Sequence, residues 1–126
     1  MKILSKRQIL MLHAALAARA GSLDGLRDEG LLDSAIHAPM QTFGGQELYP
    51  STLEKAARLG YGLIRNHPFA DGNKRIGVAA LLLILRKNGV NLAYTQEELI
   101  RLGLDMATNR IDVREVALWI KDHRQE

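Results

Sequence analysis

The order of hydrophobic and polar residues is helical along most of the chain. Apolar residues recur at helical spacing over residues 6–20 and 53–66, as in helices with one buried face. From Val78 to Leu85 nearly every residue is apolar, which is typical of a helix in the middle of a core. Four helix starts carry Ser, Thr or Asp followed three residues later by Glu or Gln, the pattern of a capping box: Ser5–Gln8, Ser51–Glu54, Thr95–Glu98 and Asp112–Glu115.

Glycine and proline divide this helical pattern. Gly21 follows the first helix, Pro39 ends a short helix at residues 31–38, and Gly89 ends the apolar helix. Residues 41–50, QTFGGQELYP, are too glycine-rich for a helix and predict a small hairpin, which we call the flap. The predicted fold is a compact all-α bundle of about six helices with this flap, in a single domain of residues 1–126.

The composition is that of an ordinary soluble globular protein. The chain has 126 residues, 47% hydrophobic and 25% charged, enough to bury a substantial core. Its 17 Lys and Arg against 14 Asp and Glu give a net charge of +3, which suits an anionic ligand but falls short of a polycation for nucleic acid. The absence of cysteine excludes disulfides, thiolate nucleophiles and cysteine-ligated zinc, and it favours a reducing cytoplasm.

The N-terminal segment has the charge-then-apolar order of a signal peptide. His13 interrupts its apolar run and Arg19 lies inside the would-be cleavage site, so we interpret the segment as the first helix. The longest apolar run, Val78 to Leu85, is less than half the length that a bilayer requires. We therefore expect a soluble protein without a membrane partner.

Residues 67–75, HPFADGNKR, gather a histidine, a carboxylate, an amide and two cations on the connection between two helices. The first N–H groups of the second helix lack intrahelical partners and its dipole adds partial positive charge, so this helix start is an anion site. Gly72 lets the backbone approach a phosphate closely. Lys74 and Arg75 bring full positive charges to the same place.

Asp71 and His67 extend this anion site toward catalysis. A carboxylate among cations is explained if a divalent metal is also held, and magnesium prefers carboxylate and phosphate oxygens. His67 is the nearby group that can accept a proton near neutral pH. A phosphate site, a metal-binding carboxylate and a base together indicate nucleotide-dependent group transfer to a hydroxyl.

Each of these residues also has a purely structural interpretation. His67 would satisfy carbonyls at a helix end, while Asp71 and Asn73 would be ordinary N-caps. The two cations would lie on a solvated first turn. Phe69 is interpreted as an anchor of the loop in either case. The remaining histidines are isolated and lack the paired spacing of a metal site, so we interpret them as surface or core packing: His13, His37 and His123.

The same stretch resembles the signature of the Fic/Doc family, HxFx(D/E)(A/G)N(G/K)R, at every specified position. Residues 25–36, GLRDEGLLDSAI, the flap and the chain length further resemble the small Doc (death-on-curing) branch. The resemblance therefore spans nearly the whole chain. It implies an all-helical Fic fold with a flap over the motif loop.

The resemblance also implies a role for each matching residue. His67 would be the general base that acts on the target hydroxyl, and Asp71 would serve magnesium or the reacting groups. Asn73 and the surrounding backbone, including Gly72, would hold nucleotide phosphate. Phe69 would anchor the loop.

Four further positions bear on nucleotide binding and on which group is transferred. Arg75 would contact the phosphates, and Arg65 lies where a Doc-type arginine is near the nucleotide. Fic enzymes that transfer AMP usually have glycine in place of Lys74 and a second arginine in place of Val78. The lysine fills space that the glycine leaves for phosphate and the second arginine is missing, which disfavours AMP transfer.

The leading hypothesis is therefore a Doc-like protein kinase, since the Doc branch has the same lysine. The resemblance implies that the protein places the γ-phosphate of ATP at the histidine and uses Mg²⁺. It also implies that the target is a Ser or Thr of elongation factor Tu. AMP transfer to a protein hydroxyl is the alternative.

Partners follow from the same resemblance. The sequence has no (S/T)xxxE(G/N) segment, the built-in inhibitory helix of many Fic proteins. An uninhibited toxin needs a separate inhibitor, which implies a Phd-like antitoxin that folds onto a surface groove. A catalytically lapsed module that only binds a nucleotide or a partner is less favoured, because His67, Asp71 and Asn73 are intact. Direct nucleic-acid binding has little support beyond a pI of about 9.4.

Overall fold

The computed structural model describes residues 1–125 and contains six α-helices in that range. They are α1 (Lys6–Ala20), α2 (Glu29–His37), α3 (Thr52–Asn66), α4 (Asn73–Lys87), α5 (Gln96–Ala107) and α6 (Val113–Asp122), and one 3₁₀ turn, Ala38–Met40, follows α2. The all-α prediction is confirmed. No helix in residues 1–125 is long and apolar enough to cross a membrane.

Side-chain caps explain where most helices begin. Complete capping boxes open α1, α5 and α6, as predicted. At α3 the prediction is half right: the Ser51 hydroxyl accepts from the N–H of Glu54, but it also donates to the Glu54 carboxylate at 2.8 Å, in place of the reciprocal backbone contact. Asp28 caps α2 by accepting from Leu31 N–H, so this helix starts at Glu29, earlier than the sequence indicates.

Helix α4 packs against α1, α3 and α5. The residues on its inner side are buried: Ile76, Gly77, Ala80, Leu81, Ile84 and Leu85. Val78, Ala79 and Leu82 are only half-buried, because they face a groove between α1 and α5. The prediction of a helix buried on nearly every face is therefore half right: one apolar face of α4 is left partly open, and α3, which packs on α2, α4, α5 and α6, is the more central helix.

Helices α3 and α4 touch through their backbones at a pair of glycines. A Cβ on Gly77 would lie 2.4 Å from Ile64 Cγ1 and 2.8 Å from the Gly60 carbonyl oxygen. A Cβ on Gly60 would lie 3.0 Å from the Gly77 carbonyl oxygen. Any side chain here would push the two helices apart. The glycine pair therefore sets the spacing of the helices that carry the two ends of the HPFADGNKR stretch.

Two short antiparallel strand pairs complete the described chain. Strands β1 (Thr42–Phe43) and β2 (Gln46–Glu47) form the predicted flap hairpin. Strands β3 (Asn91–Leu92) and β4 (Arg124–Gln125) also pair, which the sequence analysis does not predict. Strands β3 and β4 are far apart along the chain, so no local turn pattern predicts that they pair.

The flap is fastened to the N-terminal end of α3. Lys55 is 4% exposed, and its ammonium donates to the Tyr49 carbonyl and lies 2.9 Å from Glu47 Oε1. Because α3 has 15 residues, this end is about 20 Å from the end that His67 follows. The fastening point of the flap is therefore remote from the motif loop, over which the family resemblance places it.

His123 links α6 to α5. Its Nε2 lies 2.6 Å from Glu98 Oε2, and its ring stacks on Trp119 with the ring centroids 3.9 Å apart. Burial lowers the pKa of His123, but hydrogen bonds with Glu98 and the Trp119 carbonyl raise it more, so the pKa lies above its ordinary value. His123 is thus a packing residue, but it is not isolated.

The glycine contact makes a testable prediction. Gly77→Ala should lower the free energy of unfolding by about 1–3 kcal/mol, because the methyl group must separate α3 and α4. The helix propensity of alanine, about 1 kcal/mol better than that of glycine, acts in the opposite direction. Gly30→Ala in α2 is the matched control, since its Cβ would meet only Asp28 Oδ1 at 3.4 Å. Urea unfolding measures both variants, and equal stability would contradict the close contact.

Candidate active site

The motif loop, residues 67–72, joins the end of α3 to the start of α4. His67 ends α3 in the left-handed conformation, with φ 53° and ψ 53°. The guanidinium of Arg27 holds this end: Nε donates to the His67 carbonyl at 2.7 Å and Nη2 to the Asn66 carbonyl at 3.2 Å. A left-handed residue other than glycine costs about 1–3 kcal/mol and is common at functional sites. The His67 side chain is exposed.

The loop is closed by a two-point contact between Asn73 and the backbone of Phe69. Asn73 Oδ1 accepts from the Phe69 N–H at 3.0 Å, and Asn73 Nδ2 donates to the Phe69 carbonyl at 3.1 Å. Asn73 is 4% exposed and Phe69 is 1% exposed. The Phe69 ring therefore lies where an anchor is expected. Both ends of the Asn73 amide are thus bonded to Phe69, and Nδ2 retains a second N–H in addition to the backbone N–H of the residue.

A second chain segment, residues 24–28, runs antiparallel beside the motif loop. The N–H groups of Arg27 and Asp28 donate to the Pro68 carbonyl at 2.7 and 3.0 Å. The Ala70 N–H donates to the Gly25 carbonyl at 3.0 Å. These backbone bonds fix the path of the loop between its two helices.

His13 of α1 lies beneath the same loop. Its ring is 2% exposed and stacks on Phe69, with the ring centroids 3.7 Å apart and the planes 7° from parallel. Its Nε2 lies 2.7 Å from the Asp71 carbonyl oxygen and its Nδ1 lies 3.2 Å from Asp24 Oδ1. The interpretation of His13 as core packing is right as to its burial. It is wrong that His13 is isolated, because it contacts the loop through both its face and its edge.

The start of α4 has the features of an anion site. Gly72 is the N-cap, left-handed at φ 76°, and its lack of a side chain leaves the first N–H groups of the helix uncovered. The first backbone bond of α4 runs from Ile76 N–H to the Gly72 carbonyl at 3.0 Å. Arg75 Nη2 donates to Ser22 Oγ at 2.8 Å, which holds this guanidinium beside Gly72. Lys74 is exposed on the same turn.

A cavity of about 490 Å³ brings most of the predicted site residues together. Its volume lies within the usual range for small-molecule sites. The lining residues are Ile64, His67, Ala70, Asp71, Gly72, Asn73, Lys74, Arg75 and Ala107. No flap residue is among them.

Arg65 is the predicted nucleotide-binding residue that does not line this cavity. Its Nη1 donates to the Ala107 carbonyl at 2.9 Å, at the end of α5. Arg65 thus holds one wall of the cavity in place. Its contact with a nucleotide stays a prediction.

Asp71 is suited to a metal that shares its ligands with a nucleotide. Its Oδ1 accepts from the Gly72 N–H at 2.8 Å, and the side chain is exposed at the cavity. Within residues 1–125, no three His, Cys, Asp or Glu side chains are placed to hold a metal by themselves. Mg²⁺ commonly uses one or two carboxylates together with phosphate oxygens and water. The donor set therefore fits Mg²⁺ that arrives with a nucleotide.

Sequence reasoning missed the residues that support the loop from outside the motif. Arg27, Asp24 and Ser22 lie in the glycine-rich segment before α2, and His13 lies about two turns into α1. The available signal was the resemblance of residues 25–36 to the Doc branch. That resemblance marks Arg27 as part of a pattern, but it does not say which group Arg27 touches.

The fold and the cavity define an all-helical protein with a histidine beside an uncapped helix start that carries two cations. A model of the Fic/DOC family matches residues 3–85. The chain is similar to "Toxin Doc" of Mycolicibacterium smegmatis, with 39% identity over 109 residues, or 85% of this chain and 83% of the relative. It is also similar to "Protein kinase doc" of Escherichia phage P1, with 34% identity over 117 residues, or 93% of this chain and 91% of the relative. The chain therefore belongs to the Fic/DOC family.

The contact between Asn73 and Phe69 makes the second prediction. Asn73→Ala leaves the buried N–H and carbonyl of Phe69 without these partners, so the free energy of unfolding should fall by about 1–3 kcal/mol. Asn91→Ala, on the exposed strand β3, is the control and should change stability by no more than about 0.5 kcal/mol. Urea unfolding gives both values. A variant at position 73 as stable as the control would show that the contact contributes nothing.

Proposed function

We propose that this protein is a Doc-like toxin that transfers the γ-phosphate of ATP to a Ser or Thr hydroxyl of a translation factor. The observation that carries the proposal is that one cavity contains both His67 and the uncovered start of α4 with Lys74 and Arg75. A base beside an anion site is the pairing that phosphoryl transfer to a hydroxyl requires. One relative is named a toxin and the other a protein kinase, which supports the same function.

The reaction follows from the placement of these groups. The His67 imidazole accepts the proton of the target hydroxyl as its oxygen bonds to the γ-phosphorus. The bond from the γ-phosphorus to the oxygen bridging to the β-phosphate breaks, and ADP leaves with that oxygen. The N–H groups at the start of α4, together with Lys74 and Arg75, stabilise the charge on the phosphate oxygens.

Asp71 would hold Mg²⁺ together with the phosphates. The bound ion neutralises phosphate charge and orients the triphosphate. To hold the ion there, the Asp71 carboxylate must point into the cavity. The bond from the Gly72 N–H to Asp71 Oδ1 leaves the other carboxylate oxygen available for this purpose.

Two positions favour phosphate transfer over AMP transfer. Lys74 lines the cavity, so its ammonium occupies space beside the phosphates. Val78, where AMP-transferring relatives have a second arginine, packs toward α5: a Cβ on Gly103 would lie 3.3 Å from Val78 Cγ2. An apolar contact thus takes the place of the cation that would hold the distal phosphates. AMP transfer remains the alternative outcome of the labelling experiment below.

The target is proposed from the family resemblance to be an elongation factor Tu-like protein, modified in the cytoplasm. Blocking such a factor stops translation, which accounts for toxicity. No membrane and no direct nucleic-acid contact is needed for this function.

We also propose where a Phd-like antitoxin binds. A groove of about 540 Å³ lies between α1, α4 and α5, and Lys74 and Arg75 line both this groove and the motif cavity. Its other lining side chains are mainly apolar: Leu16, Val78, Ala79, Leu82, Leu99, Ile100 and Leu104. An amphipathic antitoxin segment with acidic residues at one end matches this apolar floor and these two cations. Such a segment would cover the cations that the nucleotide needs.

The phosphate transfer is tested with ATP labelled at either the α or the γ position in a bacterial lysate. Label from the γ position should enter a Ser or Thr of a translation factor, and label from the α position should not. His67→Asn, which removes the base but tolerates the left-handed conformation, should reduce transfer by about 10²-fold or more without changing the melting temperature. Lys74→Ala should reduce transfer by about tenfold or more, whereas Lys87→Ala at the far end of α4 should not.

Two other labelling results would contradict phosphate transfer. Incorporation of the α label alone, with a mass gain of one AMP on the target, would establish AMP transfer. ATP binding without incorporation of either label would establish a binding module that has lost catalysis.

The antitoxin groove is tested by introducing a negative charge on its apolar surface. Ile100 lines the groove and is 63% exposed, so Ile100→Glu should fold normally and lose co-purification with a co-expressed Phd-like antitoxin. Leu118→Glu on α6 is the control, since Leu118 is 51% exposed and lies outside the groove. Phosphate transfer should persist in both variants. Retention of the antitoxin by Ile100→Glu would place its binding site elsewhere.

A further inference from the structure

His13 touches the motif loop at the carbonyl of the residue that would bind metal. A carbonyl oxygen only accepts, so in the 2.7 Å contact between His13 Nε2 and the Asp71 carbonyl the imidazole N–H is the donor. The other ring nitrogen, Nδ1, lies 3.2 Å from Asp24 Oδ1; because a carboxylate oxygen also only accepts, this contact is a hydrogen bond when Nδ1 carries a proton as well. Stacking on Phe69 fixes the ring plane. The imidazole is therefore restrained in all directions.

The peptide group between Asp71 and Gly72 connects the His13 contact with the Asp71 carboxylate at the cavity. In a trans peptide the carbonyl and the N–H point in opposite directions. With the Asp71 carbonyl directed at His13, the Gly72 N–H is directed away from the core, where it donates to Asp71 Oδ1 at 2.8 Å. The orientation of one peptide plane thus determines where the Asp71 carboxylate is held.

We propose that His13, oriented by Asp24, is a positioning residue that directs the Asp71 carboxylate into the cavity through the Asp71–Gly72 peptide. This proposal rests on the proposed function, in which that carboxylate binds Mg²⁺ together with the nucleotide. Neither His13 nor Asp24 lines the cavity, so both act on the metal through the loop, and the Asp71–Gly72 peptide is the contact nearest to the proposed metal ligand. Such outer contacts typically change metal affinity by about 10–100-fold.

A His13 that only packed against Phe69 would tolerate different substitutions from a His13 that holds the Asp71 carbonyl. Packing against Phe69 needs a flat ring, which phenylalanine also supplies. Holding the Asp71 carbonyl needs an N–H donor, which a glutamine amide supplies. His13→Phe and His13→Gln therefore separate the two roles, because one keeps the ring and the other keeps the donor.

The chain offers a matched control in His123. Like His13, it stacks on an aromatic ring, with centroids 3.9 Å apart for His123 and Trp119. It also contacts a backbone carbonyl through a ring nitrogen at 2.7 Å, in this case that of Trp119. His123→Phe thus makes the same chemical change far from the motif loop.

The first measurement is calorimetric binding of β,γ-imido-ATP at a series of Mg²⁺ concentrations. His13→Phe should raise the Mg²⁺ concentration for half-maximal binding by about tenfold or more. His13→Gln should restore it to within about threefold of wild type, and His123→Phe should leave it unchanged. Asp24→Ala, on a side chain that is 60% exposed and so not needed for folding, should shift it in the same direction as His13→Phe. Unchanged Mg²⁺ dependence in His13→Phe and Asp24→Ala would overturn the proposal.

The second measurement needs neither metal nor activity. The amide ¹H and ¹⁵N chemical shifts of Gly72 report its bond to the Asp71 carboxylate. They should move in the same direction in His13→Phe and Asp24→Ala, and they should stay in place in His123→Phe. An unmoved Gly72 resonance in both of the first two variants would overturn the proposal. A wild-type protein that binds the Mg²⁺ nucleotide but transfers no phosphate would refute the proposed function while leaving this test of His13 decisive.

Discussion

The two hydrogen bonds between the Asn73 side chain and the Phe69 backbone hold the site together. A loop of six residues between two helices has many conformations, and this contact selects one by joining the first turn of α4 to the middle of the loop. Both partners are buried, so breaking the contact would leave polar groups unsatisfied in the core. His67 on one side of the contact and Gly72 on the other are thereby held at fixed positions around the same cavity.

The contact is effective because the loop is supported from the side opposite to the cavity. Residues 24–28 bond to the loop backbone, and the Arg27 guanidinium takes the carbonyls at the end of α3. His13 fills the space under Phe69 and holds the Asp71 carbonyl. The groups that face the cavity are mostly exposed, whereas the groups that hold them are mostly bonded to backbone. Such a division preorganises a site without using its chemical groups for structure.

Two cations are shared by the motif cavity and the neighbouring groove. Lys74 and Arg75 belong to both the motif cavity and the groove between α1, α4 and α5. A ligand that binds the groove and neutralises these cations would weaken phosphate binding without entering the cavity. The close packing of α3 on α4 at Gly60 and Gly77 prevents these two helices from moving closer together. The half-open apolar face of α4 forms the floor of the groove.

The sequence by itself determined the presence of the helices and the N-caps of four of them, because each depends on residues within a few positions of one another. Capping pairs such as Ser5–Gln8 and Thr95–Glu98 and the apolar run of α4 are local features of this kind. Only the tertiary structure decided that His13 and Arg27 support the motif loop, that Arg65 bonds to the end of α5, and that β3 pairs with β4. These contacts join residues tens of positions apart, and their existence depends on the packing angles and spacing of whole helices. No local pattern of residues encodes those quantities, so they become visible only when the chain is folded.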